Sequence, residues 1–253
     1  EPRGLPVTNM SWIKAKLFDI GIDFGLFNNR LTGSFDFFNR KRTGLPAPRY
    51  DVLIPDEAGF DLPKENLNSD MHRGIDGAIT WNHRIGDLSY SIGGNFSYSR
   101  HFDWEQYKPI FGNSWDQYRN SKYHRMNSIS WGYEVIGQFQ SWEEIASYPI
   151  DNDQHKTLRP GDIKYKDVNG DKVINEMDQR PIGYTEGSLP ALNFGLNFAF
   201  QWKGFDLAMD FTGASCTTWT QDRELRVPFT NGGNSAKFML EDQWHLSDPS
   251  DPQ

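Results

Sequence analysis

The sequence predicts an all-β protein, a transmembrane antiparallel β-barrel of which these 253 residues supply about six strands. Three observations carry this. Apolar and small polar residues alternate strictly in three hairpins over about 10 residues, the length a tilted membrane strand needs. The polar faces of those hairpins hold Asp, Asn, Ser, Thr, Gly and Ala, with almost no Lys or Glu. The connections are lopsided, tight at one end and long at the other.

In the first hairpin, near 12–40, Phe18, Ile20, Ile22, Phe24 and Leu26 share one face, and Asp19, Gly21, Asp23 and Gly25 the other. Asn28-Asn29 forms the turn, because asparagine tolerates the left-handed conformation that a tight hairpin demands. Leu31, Gly33, Phe35 and Phe37 return on the apolar face, opposite Thr32, Ser34 and Asp36. The second hairpin, near 73–99, sets Ile75, Gly77, Ile79 and Trp81 against Asp76, Ala78, Thr80 and Asn82. It turns at Ile85-Gly86-Asp87 and returns with Tyr90, Ile92, Gly94, Phe96 and Tyr98. The third, near 191–213, runs Phe194, Leu196, Phe198 and Phe200 to a turn at Trp202-Lys203-Gly204, then Phe205, Leu207, Met209 and Phe211.

Alternation alone fits a soluble sandwich as well as a barrel. A sandwich's solvent face, however, usually carries long charged side chains, whereas small polar groups suit a wet, crowded lumen. The segments 41–72, 100–190 and 214–253 read as long extracellular loops, far beyond the usual connection of about 4–6 residues. Six strands fall short of the roughly eight that the smallest membrane barrels use. Further strands, the export signal and any plug are therefore expected outside this sequence.

No apolar run approaches the roughly 20 residues of a spanning helix. The net charge of −8 argues against a nucleic-acid partner, whose phosphates would want a basic patch. Cys216 stands alone, so no internal disulfide can form.

The sharpest local signal runs from Asp167 to Asp178. Its spacing is that of a calcium loop, with side-chain oxygens from Asp167, Asn169, Asp171, Asn175 and Asp178 and the backbone carbonyl of Val173. Ile174 is the expected apolar anchor. Lys172 replaces the usual Gly, and Asp178 replaces the longer bidentate Glu. The other reading is an Asn/Gly/Asp-rich turn that holds its shape without metal; both stay open. Trp104, Trp115 and Trp131 are candidates for substrate contact, stacking on sugar rings or packing a peptide. They fall in the long connections with Trp142, Trp219, Trp244, Tyr107, Tyr118, Tyr123 and Tyr133, and the alternative is a self-packed loop core. Ser141-Trp142-Glu143-Glu144 predicts a short capped helix. Glu143, Glu144, Asp151 and Asp153 have no fixed separation that would make a hydrolytic pair, the six His are scattered, and no catalytic motif appears, so no enzyme is expected.

The stretch from Ile20-Gly21-Ile22-Asp23-Phe24-Gly25 through Asn29-Arg30-Leu31 to Phe35-Asp36-Phe37-Phe38-Asn39-Arg40-Lys41 resembles a hairpin of the SusC/RagA-type, TonB-dependent importers of Bacteroidetes. Gly161-Asp162-Ile163-Lys164-Tyr165-Lys166-Asp167-Val168-Asn169-Gly170-Asp171 and the downstream Pro181-Ile182-Gly183 are similar to that family's signature loop. Leu192-Asn193-Phe194-Gly195, Trp202-Lys203-Gly204-Phe205-Asp206-Leu207 and Trp244 match its next hairpin and beyond. The resemblance covers nearly the whole chain. It implies a 22-stranded barrel with an N-terminal plug, driven by TonB and capped by a SusD-like surface lipoprotein, with this sequence in its C-terminal part. It also implies import of a nutrient too large for porins across the outer membrane, most often an oligosaccharide and sometimes a peptide. The alternative is a soluble, calcium-stabilised β-sandwich that binds carbohydrate.

Overall fold

The computed structural model describes residues 9–49, 51–55, 57, 59, 61–150, 157–241 and 244. The strands, in chain order, are β1 (Lys14–Leu26), β2 (Leu31–Ala47), β3 (Glu65–Ile85), β4 (Leu88–Glu105), β5 (Arg125–Met126) and β6 (Ser130–Gly132). They continue as β7 (Val135–Gln138), β8 (Ile163–Tyr165), β9 (Arg180–Gly183), β10 (Leu192–Trp202) and β11 (Phe205–Ser215). Short helices are α1 (Ser114–Asn120), α2 (Trp142–Ser147) and α3 (Phe238–Glu241). No helix among the described residues is long and apolar enough to cross a membrane. The chain divides into two structural units, residues 1–128 with 189–217, and residues 129–188 with 218–253.

The first unit is one antiparallel sheet in the order β1-β2-β3-β4-β10-β11, with β5 added beside β4. Its register explains the alternation seen in the sequence. Ile22 pairs with Phe35, Phe35 with Gly77, Gly77 with Phe96, Phe96 with Phe194 and Phe194 with Gly213. Directly paired residues point to the same face, so a one-residue slip anywhere would break the tier. Nothing slips. The neighbouring tier, Phe24–Gly33–Ile79–Gly94–Leu196–Phe211, repeats the arrangement.

Glycine on this apolar face makes room for its cross-strand partner. A Cβ at Gly33 would collide with the Phe24 ring, and one at Gly213 with Phe194. Gly77 lies between Phe35 and Phe96, whose rings approach to 6.4 Å. The tiers interlock, yet the face is uncovered: Ile20 is 58% exposed, Ile22 65% and Phe211 56%. Among the described residues of this unit no second sheet packs on it. In a sandwich these side chains would form the core between two sheets, an arrangement this unit does not show among the described residues.

All three tight turns lie at one end. Lys203 and Gly204 both adopt positive φ (46° and 87°), as a two-residue type I′ hairpin requires. Between Ile85 and Leu88 only Gly86 takes positive φ (59°); Asp87 does not. The first turn differs from expectation. It spans the residues between the Leu26–Leu31 pair, and Phe27 joins Asn28 and Asn29 in the left-handed region. At the other end, β2, β3 and β4 continue past the apolar tiers into the segments read from sequence as loops.

The second unit is built on short pairings, β6 with β9 and β7 with β8. Its core is small. Phe139 is fully buried with Tyr148 edge-on at 5.1 Å, and Ile145 of α2 is also buried.

Candidate functional site

The reverse of the apolar face is lined by side chains that are short and hydrogen-bonding. Asp36 pairs with Gly21 on one side and Asp76 on the other, and Asn197 pairs with Gly93 and Asp210. A Cβ at Gly21 would collide with Asp36, and one at Gly93 with Asn197, so glycine again provides the space. Beyond the level of Phe37, Ile75 and Tyr98 the lining becomes charged. Arg42 forms a two-point ion pair with Asp70, and His101 Nε2 lies 3.5 Å from the same carboxylate. Burial pushes Asp70 up, but the Arg42 hydrogen bonds and charge outweigh it and hold the carboxyl below the usual carboxylate range. Alongside, His72 stacks on Phe38 with centroids 5.9 Å apart. Burial, with help from His101 and Arg40, lowers its pKa and favours the neutral imidazole.

Two of the three candidate tryptophans belong to this unit, and Trp104 lies not in a connection, as its sequence position suggested, but near the end of β4, whereas Trp115 lies on α1. Trp104 stacks on His124, which stacks in turn on Tyr123, each pair 3.9 Å apart between centroids; Tyr123 is exposed. Trp115 packs on Tyr118 within α1 at 5.5 Å. Asp51, in the connection after β2, ties that connection to the one after β4. It accepts from Arg49 Nε (3.2 Å), Lys108 Nζ (3.0 Å) and the Tyr107 hydroxyl (3.3 Å). The Arg49 and Lys108 hydrogen bonds hold its carboxyl well below the usual range.

The second unit contains the signature segment and Trp131. Gly161, with φ 96°, donates to the Phe139 carbonyl at 2.7 Å, and Trp244 lies over it so closely that a Cβ would come within 2.7 Å of the indole. Trp244 Nε1 also donates to Gln140 Oε1 at 3.2 Å. Sequence reasoning identified both residues but not their contact. Trp131, on β6, pairs with Pro181 of β9, which explains why Pro181-Ile182-Gly183 follows the loop. The three tryptophans thus divide between the two units. Ser141 caps α2 where its spacing predicts, accepting from the Glu144 amide at 3.2 Å. Glu144 is held by Lys164 and by the Gln140 amide, and the Lys164 hydrogen bond keeps its carboxyl below the usual range. Asp151 and Asp153 lie outside the described residues.

The Asp167–Asp178 loop closes on its own backbone. Asp167 accepts from the Gly170 and Lys172 amides at 2.6 and 2.8 Å, Asn169 from Asp171 at 3.0 Å, and Asp171 from Val173 at 2.8 Å. Asn175 accepts from the Met177 amide at 2.8 Å. Asp178 is completely buried and accepts from the Val168 and Asn175 amides, both at 2.9 Å. Lys172 takes the positive φ (66°) that the usual glycine would take. The six positions expected as calcium ligands are therefore neighbours, but the side-chain oxygens face amides. Among the described residues no three His, Cys, Asp or Glu side chains converge as a metal would need.

No protein-family profile matches the chain. It is 27% identical to TonB-dependent receptor P3 of Formosa agariphila, over 80% of this chain and 20% of the receptor. It is 23% identical to TonB-dependent receptor P26 of the same organism, over 96% and 24%. With TonB-dependent receptor SusC of Bacteroides thetaiotaomicron it shares 25% identity, over 79% and 19%. Among solved structures it resembles the RagAB peptide importer in its open-open state, with TM-score 0.52 and 19% identity over 88% of this chain and 23% of that one. The RagAB peptide transporter gives TM-score 0.50 and 20% identity over 80% and 21%.

The chain is a homologue of TonB-dependent receptors, and SusC is among its homologues. Its fold is that of part of a RagAB chain. The homologues are receptors, not enzymes. The chain spans about a fifth to a quarter of the length of these relatives (19–24%).

Proposed function

We propose that this chain is a six-strand stretch of the wall of an outer-membrane β-barrel, and that the whole protein imports a nutrient, an oligosaccharide or a peptide. The observation that carries this reading is the unbroken apolar face. Six strands present tier after tier of exposed Phe, Ile and Leu, an area far beyond the few hundred Å2 that a soluble surface tolerates. A bilayer supplies the missing contact. Hydrocarbon also forbids the open edges of β1 and β11, so further strands complete a closed barrel, 22 in all on the family pattern.

The polar reverse face is then the wall of the transport path, and transport asks no covalent chemistry of it. TonB supplies the energy and a SusD-like surface lipoprotein closes the outer side, as the likeness to SusC and to RagAB supports. Of the three candidate tryptophans, Trp104 lies beneath the Lys41 ammonium at 5.4 Å, on the outward side of the wall, and so is not assigned to the transport path. The Asp167–Asp178 loop serves as a self-closed turn in this reading, with no ion required.

Cell fractionation of the full-length protein tests the assignment. It should sediment with the outer membrane and enter solution only in detergent. A protein that is monodisperse in plain buffer would overturn the barrel. Deleting the gene should remove growth on one class of nutrient, glycan or peptide, and thereby name the cargo.

A further inference from the structure

The outward face of β1–β4 changes character just above its apolar tiers. Arg73 pairs with Asn39 on one side and Arg100 on the other, one tier beyond Phe37, Ile75 and Tyr98. The next tier holds Lys16, Lys41, Met71 and Phe102. Four cations therefore occupy two consecutive tiers of a chain whose net charge is −8. In the register above them comes one outward carboxylate, Glu105, 3.5 Å from Lys41. The turn end is different. Its outward positions are Ile85, Leu88, Trp202 and Phe205, and Arg84 falls on the opposite face. Positive charge thus gathers at one rim of the apolar band.

A groove of about 350 Å3 opens at that rim, lined by Phe37, Tyr98, Phe102, Met126, Arg73 and Arg100. The Arg73 guanidinium lies 4.5 Å from the Phe102 ring centre, so an aromatic face holds it at the groove wall. Apolar walls beside guanidinium groups suit an amphiphile with an acyl chain and an anionic head. Phosphate fits the head best, because planar guanidinium forks grip phosphate oxygens at two points. The geometry points to a binding site for a phosphorylated acyl lipid on the outward face, its chain in the groove and its phosphate on Arg73 and the lysines of the next tier. The inference rests on the barrel reading, since a lipid reaches this groove only if the apolar tiers face a bilayer.

Native mass spectrometry of the full-length detergent-extracted protein, offered phosphorylated lipid A, tests the site. The comparison ligands are the same lipid with its phosphate removed, phosphatidylcholine and inorganic phosphate. Phosphorylated lipid A should be retained at least about tenfold better than the dephosphorylated form, the difference expected of charge-assisted contacts. Lys16→Gln/Arg73→Gln should bring retention down to the dephosphorylated level, and Lys203→Gln, at the opposite rim, should not change it. Equal retention of the two lipid forms, or an unaffected double variant, would overturn the site. Displacement by inorganic phosphate would reduce it to a bare anion site and overturn the lipid assignment. Insertion into liposomes, measured on the same preparations, separates the two levels. A protein that fails to insert sinks the barrel and this site together. One that inserts but shows no phosphate dependence sinks the site alone.

Discussion

Arginine placed along the β10–β11 hairpin should meet three different media within a few residues. From Trp202 to Leu192 the outward positions advance about 33 Å along the strand, at roughly 3.3 Å per residue. With a tilt of roughly 40° that becomes about 25 Å along the membrane normal, the height of a barrel's apolar band. Leu196 sits near the middle. It is 48% exposed and pairs with Gly94, so an arginine there meets little steric resistance and the penalty is one of solvation. Leu196→Arg should cost about 2–4 kcal/mol, roughly 30- to 900-fold in the folding equilibrium. Phe205→Arg, at the rim and 75% exposed, should cost only about 0–1 kcal/mol. Ala199→Arg, on the polar face among Ser91 and Ala208, should stay within about 0.5 kcal/mol. Urea titration of the full-length protein folding into lipid vesicles measures all three. A uniform, small penalty would refute the reasoning, because an exposed leucine in water is indifferent to such a change.

Asp178→Asn should speed hydrogen exchange at the Val168 and Asn175 amides at least about tenfold, since each loses a charge-assisted acceptor. In the unaltered protein EDTA should leave the thermal midpoint unchanged, and a rise with added calcium would contradict the self-closed loop. Gly74→Ala should destabilise by about 1–3 kcal/mol, because its Cβ would come within 2.6 Å of the Tyr98 carbonyl in a paired strand; thermal melting reads this directly. The Asp51 tether has a depressed folded pKa, so its contribution is complete above the ordinary carboxylate value of 3.8 and is lost only as the pH falls below it. Arg49→Gln should move that release upward in pH, as followed by the Tyr107 amide signal; an unchanged release would show that Arg49 does not hold the carboxylate.

Where one face of a strand was apolar and the other small and polar, the sequence was easy to read. Ile20 to Leu26 and Leu192 to Trp202 alternate because the two faces meet different media, and the register preserves that alternation across all six long strands. Beyond the band the contrast disappears. The pairing of Arg42 with Asp70 and of Lys41 with Glu105 extends β2, β3 and β4 where charged residues occupy both faces beside Met71 and Phe102, and such mixed faces read as loop. In the second unit β6 and β9 are only a few residues each and join partners far apart in sequence, so no periodicity announces them. The calcium spacing was legible, but whether Asp167 or Asp178 turns its oxygens to an ion or to the loop's own amides is decided by backbone geometry. The tryptophans could be counted but not placed, because aromatic character does not say which unit a side chain joins.

Spin labels at paired positions on the two faces test the central claim most directly. In the full-length protein reconstituted into bilayers, labels at Ile22, Phe96 and Phe198 should be relaxed strongly by oxygen and weakly by a water-soluble nickel chelate. Labels at Asp23, Asn95 and Asn197 should show the reverse. Strong relaxation by the nickel chelate at Ile22, Phe96 and Phe198 would mean that the apolar tiers face water, and the membrane wall would have to be abandoned.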